Sequence, residues 1–200
     1  MYLQDYSVQA LRREIRRQDK NEHPELNNVD TLEMTLRQAA SIAKVGFAGL
    51  LPEIHTFNAK AVYQIKQFQY ELVVRRVNRI FRDITSIKQA DRDTVIRRII
   101  SLLSEGVGHR AYKFDIRSFY ESIDSRELLE RIRADTRFSI QTTDVCAAFF
   151  NYWESDGVSG LPRGLALSAT LALNSPEFRR HLRVRFSAAS RARRATASRS

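Results

Sequence analysis

An α+β fold is predicted for this chain, helical through most of its N-terminal part and with a short strand-bearing region further on. Three observations carry that expectation. Apolar residues recur at helical spacing over residues 31–44 and again over 91–105. Tyr112, Phe114 and Ile116 instead alternate with Lys113 and Asp115 at the two-residue period of a strand. Gly160-Leu161-Pro162-Arg163-Gly164-Leu165-Ala166-Leu167-Ser168 then reads as a rigid turn that opens a helix, with Pro162 fixing φ and Gly164 allowing a close backbone approach.

Taken in order, residues 6–19 and 31–44 read as helices. The second is opened by Asp30 with Glu33 three residues on, the spacing of a capping box. Residues 21–28 are polar and contain Pro24, which makes them a loop, and residues 46–60 form a second irregular link. From Phe68 to Leu72 the alternation is that of a strand. Val73, Val77, Ile80, Phe81 and Ile84 then repeat at helical spacing, with Arg75, Arg79 and Arg82 on another face.

Residues 91–105 are the clearest helix, with Val95, Ile96, Ile99, Ile100, Leu102 and Leu103 expected to bury one side and Gly106 to supply the stop. Asp124 with Glu127 reads as a helix cap. Cys146 falls in an apolar helical pattern with Phe149, Phe150 and Trp153, so a buried structural thiol is expected.

Composition bounds the function classes. A chain of 200 residues with 43% hydrophobic content can bury a sizeable core, and only 7 Gly and 4 Pro argue against disorder in its body. A single Cys excludes an internal disulfide, and the four His have no metal-ligand spacing, so a zinc site is unsupported. The N-terminus lacks an apolar signal region and no run of about 18 apolar residues is present, so the expectation is a cytoplasmic protein with no membrane partner.

The net charge of +10 is unevenly spread: residues 177–200 hold eight Arg and one Glu, leaving +3 for the rest. One reading makes this tail a basic arm that grips phosphates. The other makes it a shifted reading frame, since Arg, Ala and Ser are what a GC-rich gene yields when read out of frame. The second is favoured, because the pattern of the preceding stretch breaks off within a few residues of Leu173.

The chemistry-bearing stretch is residues 112–124, YKFDIRSFYESID, which puts the Asp115 carboxylate on the strand face opposite the apolar set. A carboxylate there can hold a metal, and a loop such as 160–168 can lie against a nucleotide. These two stretches, in this order and spacing, resemble motifs A and B of the reverse transcriptases, specifically the bacterial retron-type group that includes group II intron and antiviral-defence enzymes. The likeness covers roughly residues 60–173. It implies a right-hand polymerase fold of fingers and a truncated palm sheet, preceded by a helical N-terminal region (residues 1–59) and followed by a basic tail (residues 174–200) that is frame-shifted or disordered.

That resemblance implies specific roles. Asp115 matches the first metal-binding aspartate, and the Ile116 carbonyl matches a further metal ligand. A complete site of the family holds two Mg²⁺ ions that promote in-line nucleotidyl transfer to a primer 3′-hydroxyl. Tyr120 matches the aromatic steric gate that leaves no room for a 2′-hydroxyl, whereas Phe119 and Ile123 are expected to be core residues. Gly164 belongs to the nucleotide-facing loop. Arg163 stands where many relatives carry Gln, so a phosphate contact is expected of it. Lys88 and Arg92 match the region that grips the triphosphate, and Arg75, Arg79 and Arg82 resemble a basic fingers element against the template backbone.

Implied partners are an RNA template, a DNA or RNA primer, dNTPs and, in some relatives, a structured non-coding RNA. The wording of motif A leans toward the antiviral-defence enzymes. One departure is large: no Asp-Asp pair occurs anywhere in the chain, so the family's third motif, Tyr-x-Asp-Asp, is missing. The expectation is therefore an inactive fragment of an RNA-directed DNA polymerase, with a non-enzymatic nucleic-acid-binding protein as the alternative.

Overall fold

A computed structural model describes residues 4–86, 92–106 and 118–175. Eight α-helices and one hairpin are found among them: α1 (Val8–Arg12), α2 (Asp19–Glu22), α3 (Val29–Val45), β1 (Glu53–Phe57), β2 (Lys60–Gln64), α4 (Phe68–Thr85), α5 (Arg92–Leu103), α6 (Ser125–Ala134), α7 (Ile140–Ser155) and α8 (Ala166–Asn174). The fold is thus α+β and mostly helical, with a two-stranded antiparallel sheet. The expected strand at 112–116 and the basic tail from 176 lie outside the described residues.

Helix α4 is the centre of the molecule. It packs on α3 along one side and on α8 along another, and it also meets α1 and α7. Being covered on two sides, its first half buries Phe68, Tyr70, Leu72, Val73 and Val74 in succession. This explains a correction: residues 68–72 are helical rather than a strand, because Phe68 packs on His23 and Tyr70 on Phe47 while Leu72 is fully buried, so an all-round buried helix start only mimics a two-residue alternation. The same core takes in Leu36 and Ala39 of α3, Phe149 and Trp153 of α7, and Leu167 and Leu171 of α8.

The N-terminal helical stretch is broken where one helix was expected. Ser7 caps α1 by accepting from the Ala10 amide, and α2 begins only at Asp19, whose carboxylate accepts from the Arg16 amide at 2.6 Å in the turn between them. Helix α3 starts two residues earlier than its sequence signal. Asn28 Oδ1 accepts from Asp30 N and Thr31 N at 2.8 and 3.2 Å, while Glu33 pairs with Arg12 of α1 instead of closing a capping box.

Residues 46–60 are not an irregular link throughout. Glu53–Phe57 pairs with Lys60–Gln64 in register Glu53↔Gln64 to Phe57↔Lys60, around a two-residue turn in which Asn58 and Ala59 have φ of 50° and 59°. Two left-handed residues match the twist of a hairpin, but the customary second residue is Gly, and Ala there hides the signal. The expected division between residues 59 and 60 falls inside this turn. Tyr63 of β2 stacks edge-on against Trp153 of α7 with 5.0 Å between centroids, which seats the hairpin on the core.

The later elements follow their sequence signals. Asp124 Oδ1 caps α6, accepting from Arg126 N and Glu127 N at 2.9 and 3.1 Å. Ser139 caps α7, and Cys146, Phe149, Phe150 and Trp153 are buried on that helix as expected. Burial pushes the Cys146 thiol far above its ordinary pKa, so it stays a neutral core group. Gly106 follows α5 with φ of 68°, the left-handed stop foreseen for it. Helix α5 itself departs from expectation: Val95, Ile96, Ile99, Ile100, Leu102 and Leu103 are 40 to 59% exposed.

Candidate functional site

The two stretches singled out in sequence interlock in space. Residues 118–123 form a turn, entered at Ser118 with φ of 51°, and the loop Gly160–Gly164 lies directly on it. The Leu161 amide donates to the Tyr120 carbonyl at 3.0 Å. Gly160 has φ of 71°, and a Cβ built there would stand 2.3 Å from that same carbonyl oxygen. Only glycine fits between the segments. Phe119 packs at the core margin and Ile123 is buried, as expected for residues behind Tyr120.

The other end of the loop is tied to the hairpin. Tyr63 N donates to the Arg163 carbonyl at 2.7 Å, and Gly164, with φ of 101°, brings its backbone so close that a Cβ would lie 2.6 Å from the Tyr63 carbonyl oxygen. The close approach foreseen for Gly164 is thus to the protein's own β2. Past the loop, α8 starts without a side-chain cap.

Arg163 and Tyr120 come together. The guanidinium carbon sits 5.3 Å from the Tyr120 ring centroid, and Nη2 donates to both carboxylate oxygens of Glu121 at 3.0 and 3.2 Å. Lys60 Nζ lies 3.9 Å from the same carboxylate and donates to Ser118 Oγ at 3.3 Å. Burial alone would raise the Glu121 carboxyl; its own backbone amide, Arg163 and Lys60 outweigh that and hold it below the usual carboxylate value. Glu121 was not foreseen as a partner, because nothing local in the sequence links it to a residue 42 positions on.

A cleft of about 910 Å³ opens beside the end of this loop. Gly164, Leu165, Ala166 and Leu167 line one wall, and α4 lines another with Arg75, Asn78, Arg79 and Arg82. The N-terminal segment and the exit of β2 add Arg16, His23, Tyr63 and Lys66, and four carboxylates, Glu14, Glu22, Glu71 and Asp83, line it as well. The structure therefore brings the predicted arginine stripe of α4 beside the predicted loop residue Gly164, while Tyr120 and Arg163 are not among the residues that line this cleft.

The arginines are not equivalent. Arg75 is nearly enclosed and pairs with Asp19 and Glu71, both at 2.6 Å, so its charge is already neutralised. The hydrogen bond and charge of Arg75, helped by the Arg16 amide, overcome the burial that would raise Asp19 and leave its carboxyl below the ordinary value. Arg79 pairs with Glu14 at 3.0 Å but is half exposed. Arg82, together with Arg16 and Lys66, forms no salt bridge with a described residue. These last two cations escaped sequence reading, since Arg16 belonged to an expected unbroken helix and Lys66 to no element at all.

Lys88, Asp115 and Ile116 lie outside the described residues, and Arg92 opens α5 with only its backbone described. Among the described residues no group of three His, Cys, Asp or Glu is arranged to hold a metal ion, and Glu121 is committed to cations. The described residues by themselves therefore do not supply a Mg²⁺ site. Among them, too, no helix is long and apolar enough to cross a membrane. No protein-family model, curated protein or solved structure matches the chain significantly.

Proposed function

We propose that this chain is a nucleic-acid-binding protein of the RNA-directed DNA polymerase kind, with the right-hand fingers and the first part of the palm. One observation carries the proposal. The loop Gly160–Gly164 packs onto the Tyr120–Glu121 turn some 40 residues earlier through a direct main-chain hydrogen bond. Two motifs that resemble the family separately are thus also neighbours, as motifs serving one nucleotide would have to be. In this reading Asp115 and the Ile116 carbonyl hold Mg²⁺, Tyr120 lies against the sugar, and Lys88 and Arg92 face the triphosphate. The cleft between α4 and α8 takes the RNA template and its primer through Arg82, Lys66, Arg16 and the partly open Arg79, with the uncapped start of α8 adding amide donors.

A second reading, binding without chemistry, is favoured by the absence of any Asp-Asp pair from the sequence. The test uses an RNA template annealed to a DNA primer, with fluorescence anisotropy against salt. Arg82→Ala and Lys66→Ala should each weaken binding and flatten the log–log salt slope by about one. The complementary dNTP with Mg²⁺ should tighten the complex in the wild type and fail to do so in Asp115→Ala. Binding that ignores the dNTP would favour the second reading; no salt-dependent binding at all would end both. Primer extension by the chain itself is not expected, because one carboxylate of three does not hold two metal ions.

A further inference from the structure

We propose that Arg163 is a positioning residue that immobilises the Tyr120 ring and thereby sets the discrimination between deoxy- and ribonucleotides; this rests on the reading above that Tyr120 lies against the nucleotide sugar. The guanidinium contacts both Tyr120 and its neighbour Glu121. Its carbon lies 5.3 Å from the ring centroid, within cation–π range, and its Nη2 is bonded to both oxygens of the adjacent Glu121. The charge is therefore spent inside the protein and does not reach for a phosphate.

The base of this side chain is itself fixed. The Arg163 carbonyl accepts from Tyr63 N at 2.7 Å, and Leu161 N, two residues earlier, donates to the Tyr120 carbonyl at 3.0 Å. Gly160 and Gly164 pack so closely on Tyr120 and Tyr63 that a Cβ at either position would overlap their carbonyl oxygens. Lys60 of β2 also holds this turn, through Ser118 Oγ and the Glu121 carboxylate. Phe119 flanks the Tyr120 ring at 5.4 Å between centroids. The ring thus has a neighbouring aromatic beside it and, over it, a planar cation whose residue is tied to the 118–123 turn and to β2. A Lys at this position would keep the charge but lose the planar group that covers the ring while bonding the carboxylate.

The experiment measures, with the full chain on an RNA template–DNA primer, the dissociation constants of dGTP and GTP opposite a templating C. The readout is their ratio, which a loss of general stability does not move. Arg163→Ala should shrink the ribo-to-deoxy ratio by roughly fivefold toward the value of Tyr120→Ala, and Arg163→Lys should not restore it. The double variant should equal Tyr120→Ala alone. If Arg163→Ala weakens both nucleotides equally, or leaves the ratio unchanged, the inference is wrong.

Where Arg163→Ala does not fold, Glu121→Gln releases the same clasp and should shift the ratio in the same direction. A wild type that binds both nucleotides alike would overturn the sugar reading instead. The clasp is then judged by the ring-flip rate of Tyr120 in a tyrosine-labelled sample, which must rise in Arg163→Ala.

Discussion

Helices α4 and α5 are written in nearly the same code, apolar residues at helical spacing with arginines between them, yet they meet opposite fates. Helix α4 buries Leu72, Val73, Val77, Ile80 and Phe81 against α3 and α8. Helix α5 makes no more than marginal contact with another described element and leaves six aliphatic side chains at least two-fifths exposed. Their arginines differ in the same way. Arg75 and Arg76 of α4 are enclosed in ion pairs with Asp19, Glu71, Asp5 and Glu14, whereas Arg97 of α5 donates to the Asp93 carbonyl of its own helix. An amphipathic pattern specifies that a face wants cover. It does not supply the cover.

The largest test of this contrast is Phe81→Ala in α4. The ring is 1% exposed and stacks on Phe138 at 4.5 Å, so its loss should cost about 3 to 5 kcal/mol in urea unfolding. A cost below about 1 kcal/mol would mean that α4 is not the centre of the core. Asp19→Asn comes next, at about 2 kcal/mol, less than the full cost of stripping a buried pair because Glu71 still faces Arg75.

The Asp19 carboxyl lies lower folded than unfolded, so its contribution is present above the unfolded-state value and is lost as pH falls through the folded one. Melts of the wild type should therefore decline below about pH 4. The Asn variant should decline less steeply there. Parallel curves would show that Asp19 does not couple to folding. Smallest is Ile99→Ala in α5, expected to shift stability by no more than about 0.5 kcal/mol. A loss of 2 kcal/mol or more would show that α5 has a partner in the folded chain and would close the contrast.

Legibility followed the range of the interactions. The cap Asp124, the buried stripe of α7 and the turn leading into α8 were readable, since each depends on residues within about one helical turn of one another. The hairpin was missed because Ala59 stands in a left-handed position usually given to Gly. The start of α4 was misread because it is buried on more than one side, Phe68 against His23 and Tyr70 against Phe47, and burial on several sides of a helix can look like the alternation of a strand. In the site, Tyr120 and the loop glycines could be chosen from the sequence. That Arg163 spends its charge on Glu121, and that Arg75 spends its own on Asp19, could not.

What the sequence determined by itself is therefore local: where most helices run, that Asp124 caps one of them, which thiol is inert, and which two stretches carry the motif-like residues. The tertiary structure decided which apolar faces found cover, which of the many arginines remain open along the cleft, and that residues 120 and 160 share a boundary too tight for a Cβ. The reason lies in the two kinds of energy involved. Caps and periodicity act through the backbone over a few residues and leave a mark at each position. Ion pairs and packing between distant segments depend on how the chain closes its loops, and no single position in the sequence records that.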